Sequence, residues 1–259
     1  MVVGMGANQG RPVGEDGKNL PPKLSGIGGG IKLIYVPGLQ ILRGNFAIAA
    51  GQTVRSGRVE AGGTTTKSLG FYNTEIMPEA LSWFIGHHSY IAERVTIWLP
   101  DGRSAFTYNK KNGYSLSPDC VAQHYWSFEP SLSYSYIGQK INFTVNNIFD
   151  FNTTDVKTAY HTGDIYHLDW TVAHSFGPLS LGVIGTYTRQ FTDDTKFGVP
   201  AHNGGDSAGR GFRFMRASVG PLIMYRFKKA TLTASGLYAF AGKNSGKRSV
   251  MGLSLAFPL

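Results

Sequence analysis

The stretch HTGDIYHLDWTVAHSFGPLSLGVIGTYTRQFTDD, residues 161–194, decides the fold. It holds two alternating runs joined by the turn FGP at 176–178. In the first run Tyr166, Leu168, Trp170 and Val172 share one parity, against His167, Asp169 and Thr171. In the second, Leu179, Leu181, Val183 and Tyr187 oppose Ser180, Gly182, Thr186 and Thr188. Period two marks a strand with two unlike faces. A sandwich core needs bulky side chains on its inward face. The small polar parity cannot fill one, and the apolar parity is too greasy for water. Inverted, the pattern is consistent: apolar residues toward lipid, small polar residues around a wet interior. That is the alternation of a transmembrane β-barrel.

The same pattern recurs on both sides of this stretch. Phe128, Leu132, Tyr134 and Tyr136 oppose Glu129, Ser131, Ser133 and Ser135, and Ile141, Phe143, Val145, Phe149 and Phe151 oppose Asn142, Thr144, Asn146 and Asp150. Downstream, Ala217, Val219, Ile223, Tyr225 and Phe227 oppose Arg216, Ser218 and Gly220. Leu232, Ala234, Tyr238 and Phe240 then oppose Thr231, Thr233 and Ser235, and Met251, Leu253, Leu255 and Phe257 oppose Gly252, Ser254 and Ala256. The first hundred residues are less regular, with strands predicted near 27–36, 44–54, 67–85 and 88–98. Closure follows physically, because each unpaired backbone N–H or C=O in hydrocarbon costs several kcal/mol.

Short turns at 138–139, 176–178 and 228–229 alternate with longer polar connections at 99–120, 152–163, 191–212 and 242–248. Periplasmic turns and extracellular loops alternate in this way, which puts the C-terminus in the periplasm. Aromatic residues fall where lipid-facing girdles belong. Tyr134, Tyr136, Tyr225, Phe227 and Phe257 lie at periplasmic ends. Phe149, Phe151, Tyr166, Tyr187, Tyr238 and Phe240 lie toward outer ends, and Trp170 shares their face.

Composition agrees. Charged residues are 16% of the 259, against about 25% in soluble domains, while 42% are hydrophobic and 34 are glycine, too many for a helical protein. The net charge of +9 is spread over many loops and forms no nucleic-acid-binding stripe, so basic loops over an anionic membrane surface are the simpler reading. One cysteine, Cys120, permits neither an internal disulfide nor a cysteine metal cluster. No window reaches the roughly 18 apolar residues of a membrane-spanning helix, and the N-terminus does not read as a secretory signal.

The expected fold is therefore an all-β, up-and-down antiparallel transmembrane barrel, about twelve strands when complete, with about eleven visible. Residues 1–26 read as an extracellular-side leader or truncated region and 27–259 as the barrel. The odd count predicts an export signal and one strand encoded upstream of Met1.

At these residues the chain resembles the outer-membrane proteins named after the "MetA pathway of phenol degradation". The resemblance is carried by GFYNTEIMPEALSW (70–83), WLPDG (98–102), FEPSLSYSY (128–136), FDFNTTD (149–155), YHTGDIYHLDW (160–170), RQFTDD (189–194), VGPLIMY (219–225) and LAFPL (255–259). The fragments are colinear over roughly residues 26–259. The resemblance implies a Gram-negative outer-membrane barrel, encoded near aromatic-degradation genes, that passes hydrophobic or aromatic compounds without a cofactor. It also implies recognition of the C-terminal strand by the barrel-assembly machinery. Here the chain departs from the usual terminal phenylalanine, ending on Leu259 with Phe257 two positions earlier.

Glu129, Asp150, His167, Asp169 and Arg216 lie on the lumen parity, all toward the outer half. They read either as a polar constriction that selects solutes or as a structural network in a barrel that side chains largely fill. Loops 99–120 and 191–212 would gate entry. His167 and Asp169 would orient one another beside a serine in a barrel hydrolase, yet no nucleophile motif accompanies them, so the chain reads as a non-enzyme. His87–His88, and His161 with Asp164 and His167, are poor metal spacings, so no metal is expected. GIGGG at 26–30 lacks the strand–loop–helix context of a phosphate loop. The polar loop 192–211 is a candidate for Ca²⁺ or lipopolysaccharide phosphates, but as a solvated loop it needs no ligand. Expected partners are outer-membrane lipid, lipopolysaccharide and a small apolar or aromatic solute, with no nucleic acid. The alternative is a structural or adhesive barrel with a plugged lumen.

Overall fold

A computed structural model describes residues 1–14, 16–111, 113–201 and 213–259. Twelve antiparallel strands run in order around it: β1 (Val2–Val13), β2 (Lys23–Tyr35), β3 (Gly44–Ala61), β4 (Glu75–Gly86), β5 (Ser89–Trp98) and β6 (Ser127–Ile137). Then follow β7 (Ile141–Asn152), β8 (Ile165–Phe176), β9 (Leu179–Gln190), β10 (Met215–Arg226), β11 (Thr231–Lys243) and β12 (Ser245–Ala256). Each pairs with its neighbours in sequence, and β12 pairs with β1 from Val2↔Ala256 to Val13↔Ser245, which closes the barrel. Among the described residues no helix is long and apolar enough to cross a membrane; the strands do the crossing.

The inverted pattern holds in three dimensions. Leu132 is 56% exposed, Met251 73%, Ile27 60% and Ile223 47%, so the large apolar residues form the outer surface. Their small polar neighbours Ser127, Ser131, Ser180, Thr188 and Ser218 are buried inside. Trp170 lies flat on the outer wall, where a Cβ on Gly185 of the next strand would come within 2.2 Å of its ring. Asn147, outward on β7, is capped by the Tyr166 hydroxyl at 2.7 Å. In the girdle positions, Phe149 meets Tyr166 at 5.2 Å, Tyr225 meets Phe227 at 4.8 Å, and the Tyr134 hydroxyl bonds Ser89.

Three readings need correction. Residues 2–13, expected within a leader, are the twelfth strand. Its outward residues Val3, Met5 and Ala7 alternate with Gly4, Gly6 and Asn8, and glycine gave the run the look of a loop. The connection expected at 242–248 is a tight turn at Asn244, whose φ is +49. The strand expected at 67–85 is two. Thr64–Phe71 folds back on the upper part of β3 through Gly62 and Gly63 (φ +55 and +78), and β4 begins only at Glu75. The break is fixed by Asp101, which accepts bonds from the Thr74 amide (2.8 Å) and hydroxyl (2.5 Å). His87 and His88 form the expected periplasmic turn, both with positive φ.

Candidate functional site

Cross-strand register places the lumen residues in stacked rows. One row runs Arg94 (β5), Ser131, Ile148, His167, Thr188, Arg216 (β10). The row below it runs Ala92, Ser133, Asn146, Asp169, Thr186, Ser218. Glu129 lies one row above the first, opposite Thr96, and Asp150 is on the same level of β7, opposite Ile165. Successive rows are separated by two residues of strand, roughly 7 Å. Four of the five lumen residues anticipated from sequence therefore cluster on β6–β8, with Arg216 two strands further round on β10.

Within this group, Asp150 accepts a bond from the Ser127 hydroxyl at 2.7 Å, and Arg94 Nε donates to Ser131 Oγ at 3.0 Å. His167 Nδ1 is 3.2 Å from Thr188 Oγ1. That contact runs along the row, whereas Asp169 sits one row down, so the two do not form the relay a hydrolase would need.

Sequence reading missed half of the charges. Lys32 on β2 and Glu75 at the start of β4 form an ion pair. Arg55 on β3 stacks 3.4 Å over the ring of Tyr72. Arg248 on β12 lies within electrostatic reach of Arg216, and its buried Nε has no hydrogen-bond partner among the described residues. The lumen is thus divided. Glu129, Asp150 and Asp169 line β6–β8, with Arg94 beside them; Arg216 and Arg248 lie on β10 and β12, Lys32 on β2 is held by Glu75, and Arg55 reaches over Tyr72 toward the acidic side. Against β11, β12, β1 and β2 lies a cavity of about 410 Å³, lined by Gly4, Gly28, Gly30, Ser235, Gly252 and Ser254 with the Lys32–Glu75 pair. Small side chains leave open there the space that larger ones fill elsewhere.

Four of the motifs that carry the family resemblance, at 98–102, 149–155, 160–170 and 189–194, reach the outer rim. The hairpin Phe106–Asn109/Gly113–Leu116 and the strand pairs Thr154–Asp155/Tyr160–His161 and Thr195–Lys196/Val199–Pro200 are laced together. Asp194 accepts from Gln190 Nε2 (2.7 Å), the Gly163 amide (2.8 Å) and the Tyr160 hydroxyl (2.6 Å). Asn152 Nδ2 donates to the Gly163 carbonyl at 3.2 Å, and Lys196 Nζ to the Tyr114 carbonyl at 3.1 Å. Gly102 of WLPDG sits so tightly on the chain at Tyr72–Asn73 that a Cβ would meet the Tyr72 carbonyl carbon at 2.7 Å. These loops form a roof over the β5–β9 side. The rest of the expected gating loop, residues 202–212, lies outside the described residues.

Asp155 anchors that roof. Burial alone would raise its carboxyl, but bonds from His124 (3.0 Å), the Thr158 hydroxyl (2.8 Å) and the Lys157 amide (2.8 Å) outweigh burial and hold it below the usual carboxylate range. A depressed folded-state value stabilises the loop above the unfolded value, near 4, and that support is lost as pH falls through the folded value. Hydrogen exchange at 153–164 should therefore be slow at pH 5 and rise as pH falls below about 4. Asp155→Asn should exchange fast throughout; a flat profile in the native chain would contradict this role. Burial and the neighbouring Asp194 carboxylate raise the Tyr160 hydroxyl, so it stays a donor. Among the described residues no three His, Cys, Asp or Glu side chains are grouped to hold a metal.

Solved structures share this architecture. The COG4313 outer membrane channel from Pseudomonas putida F1 superposes with a TM-score of 0.73 at 13% identity, over 98% of this chain and 93% of that one. The translocator domain of the autotransporter NalP from Neisseria meningitidis gives 0.60 at 10% identity, over 100% and 87%. The beta domain of the Bordetella autotransporter Brka gives 0.56 at 10% identity, over 100% and 98%. At these identities the likeness is one of fold, that of a Gram-negative outer-membrane barrel, as the alternation predicts. No curated protein matches by sequence. The family model described as "Putative MetA-pathway of phenol degradation" matches residues 9–254, nearly the whole barrel, and the chain belongs to that family.

Proposed function

We propose that the barrel is a diffusion channel for small solutes with an apolar or aromatic body and a hydrophilic edge, phenols and aromatic acids among them. The divided lumen supports this most directly. An acidic wall facing a basic one favours solutes whose own polarity can align across the gap, and a lumen of Ser, Thr, Asn and Gly offers hydrogen bonds to a hydroxyl or carboxylate. The family description, with its reference to phenol degradation, agrees with an aromatic solute. Side chains carry no bond-making role in this reading. The strand Ser245–Ala256, which ends the barrel, would serve as the handle for the assembly machinery.

The laced roof favours a second reading, a plugged structural barrel whose loops bind surface partners. Swelling of liposomes containing the refolded chain separates the two. A channel should admit benzoate and phenol several-fold faster than protein-free liposomes do. If neither solute enters above that background, the channel reading fails and the plugged barrel stands.

A further inference from the structure

A cavity of about 600 Å³ opens in the wall where β11, β12, β1 and β2 near their extracellular ends, with Arg11, Lys23, Lys247 and Tyr238 on its outer side and Arg248 on its inner side. Register brings three basic residues into one row along it. Arg11 is directly opposite Lys247, and Lys23 precedes Leu24, the partner of Gly10, so on the antiparallel strand it falls beside Arg11 on the other side. Like charges directly opposite on neighbouring strands repel. Among the described residues none of the three is ion-paired. Glu60, opposite Lys23, is instead bonded to Arg58 at 2.8 Å.

The rows beneath change character in order. Ser249, Gln9 and Ser25 come next, and below them Met251, Ala7 and Ile27, with Met251 and Ile27 among the most exposed apolar residues of the barrel. Tyr238, 60% exposed, stands at the edge of the cavity. The wall here also has room. Pairing between β11 and β12 ends at Tyr238↔Ser249, while β11 continues on β10 and β12 on β1 to their outer ends, so the two strands part beside Lys247.

We propose that this notch binds the phosphorylated headgroup of an outer-leaflet glycolipid. Phosphate oxygens would bridge Arg11, Lys247 and Lys23, the Ser–Gln–Ser row would meet sugar hydroxyls, and acyl chains would lie on Met251 and Ile27. A phosphate is the fitting anion because charge-assisted bonds from an arginine fork and two ammonium groups converge on it. The apolar rows below select a lipid over a free ion.

Native mass spectrometry of the full-length, folded protein titrated with bisphosphorylated lipid A tests this. The double variant Arg11→Gln/Lys247→Gln should bind at least about tenfold more weakly, a loss of about 1.4 kcal/mol or more. Arg11→Lys/Lys247→Arg should retain binding, and heat-modifiable migration checks that both variants fold. Lipid A stripped of its phosphates should bind no better to the native chain than to the double variant. Equal binding of lipid A by native and glutamine variants would overturn the site. So would equal binding of phosphorylated and stripped lipid. Displacement of lipid A by equimolar inorganic phosphate would overturn the assignment to a lipid.

Discussion

Replacing Gly10 with leucine should leave most of the chain unable to reach the closed, heat-modifiable form. Gly10 faces Arg248 across the seam between the first and last strands, and a Cβ there would fall 2.1 Å from the Lys247 carbonyl oxygen and 2.7 Å from the Arg248 Cα. Both obstacles are backbone, so no side chain can swing aside. Overpacking alone costs roughly 1–3 kcal/mol. At a seam, relief also means parting β1 from β12, and each buried N–H or C=O left unpaired costs roughly 1–3 kcal/mol more. Gly4→Ala is the control, because its Cβ would come no nearer than 3.4 Å to the Ser254 Cβ and 3.5 Å to the Leu253 carbonyl oxygen, both ordinary contacts. Unboiled gel electrophoresis after refolding into detergent reads the folded fraction. Gly10→Leu folding as fully as Gly4→Ala would mean that β1 does not close the barrel as described.

Reversing the basic wall should change ion preference. Arg216→Glu/Arg248→Glu replaces two positive charges with two negative ones opposite Glu129, Asp150 and Asp169, so an anion in transit loses its favourable side. A unit charge at about 4 Å is worth between about 1 and 4 kcal/mol at effective dielectric constants of 80 to 20. The chloride-to-potassium permeability ratio, read from the reversal potential in a salt gradient, should therefore fall by about tenfold or more. Arg216→Gln/Arg248→Gln should fall between. A ratio unmoved by either variant would place the permeation path away from these arginines and remove the main support for a charge-selecting lumen.

Most of the barrel was legible in the sequence, and the illegible part has physical causes. From Phe128 onward, apolar residues meet lipid on one parity and small polar ones meet the lumen on the other, so each strand announced itself. In β1 the lumen residues are glycines and an asparagine, and the outward face turns polar at Gln9 and Arg11 as it leaves the hydrocarbon. Those letters also spell a loop. The same ambiguity hid the outer ends of β11 and β12, and with them Arg248. Between Phe71 and Glu75 the break is pinned by a distant residue, Asp101, which local pattern does not encode. Lys32, Arg55 and Arg94 each obey alternation, but they lie among the less regular first hundred residues.

The β3 extension bears on how the protein can be used. Its tip turns at Gly62 and Gly63, where an added Cβ would meet nothing within 4 Å. A short foreign peptide spliced between these glycines would ride on a paired ribbon facing the surroundings of the cell. That makes the tip a natural place for an antibody tag or a displayed antigen, with the cylinder below left undisturbed.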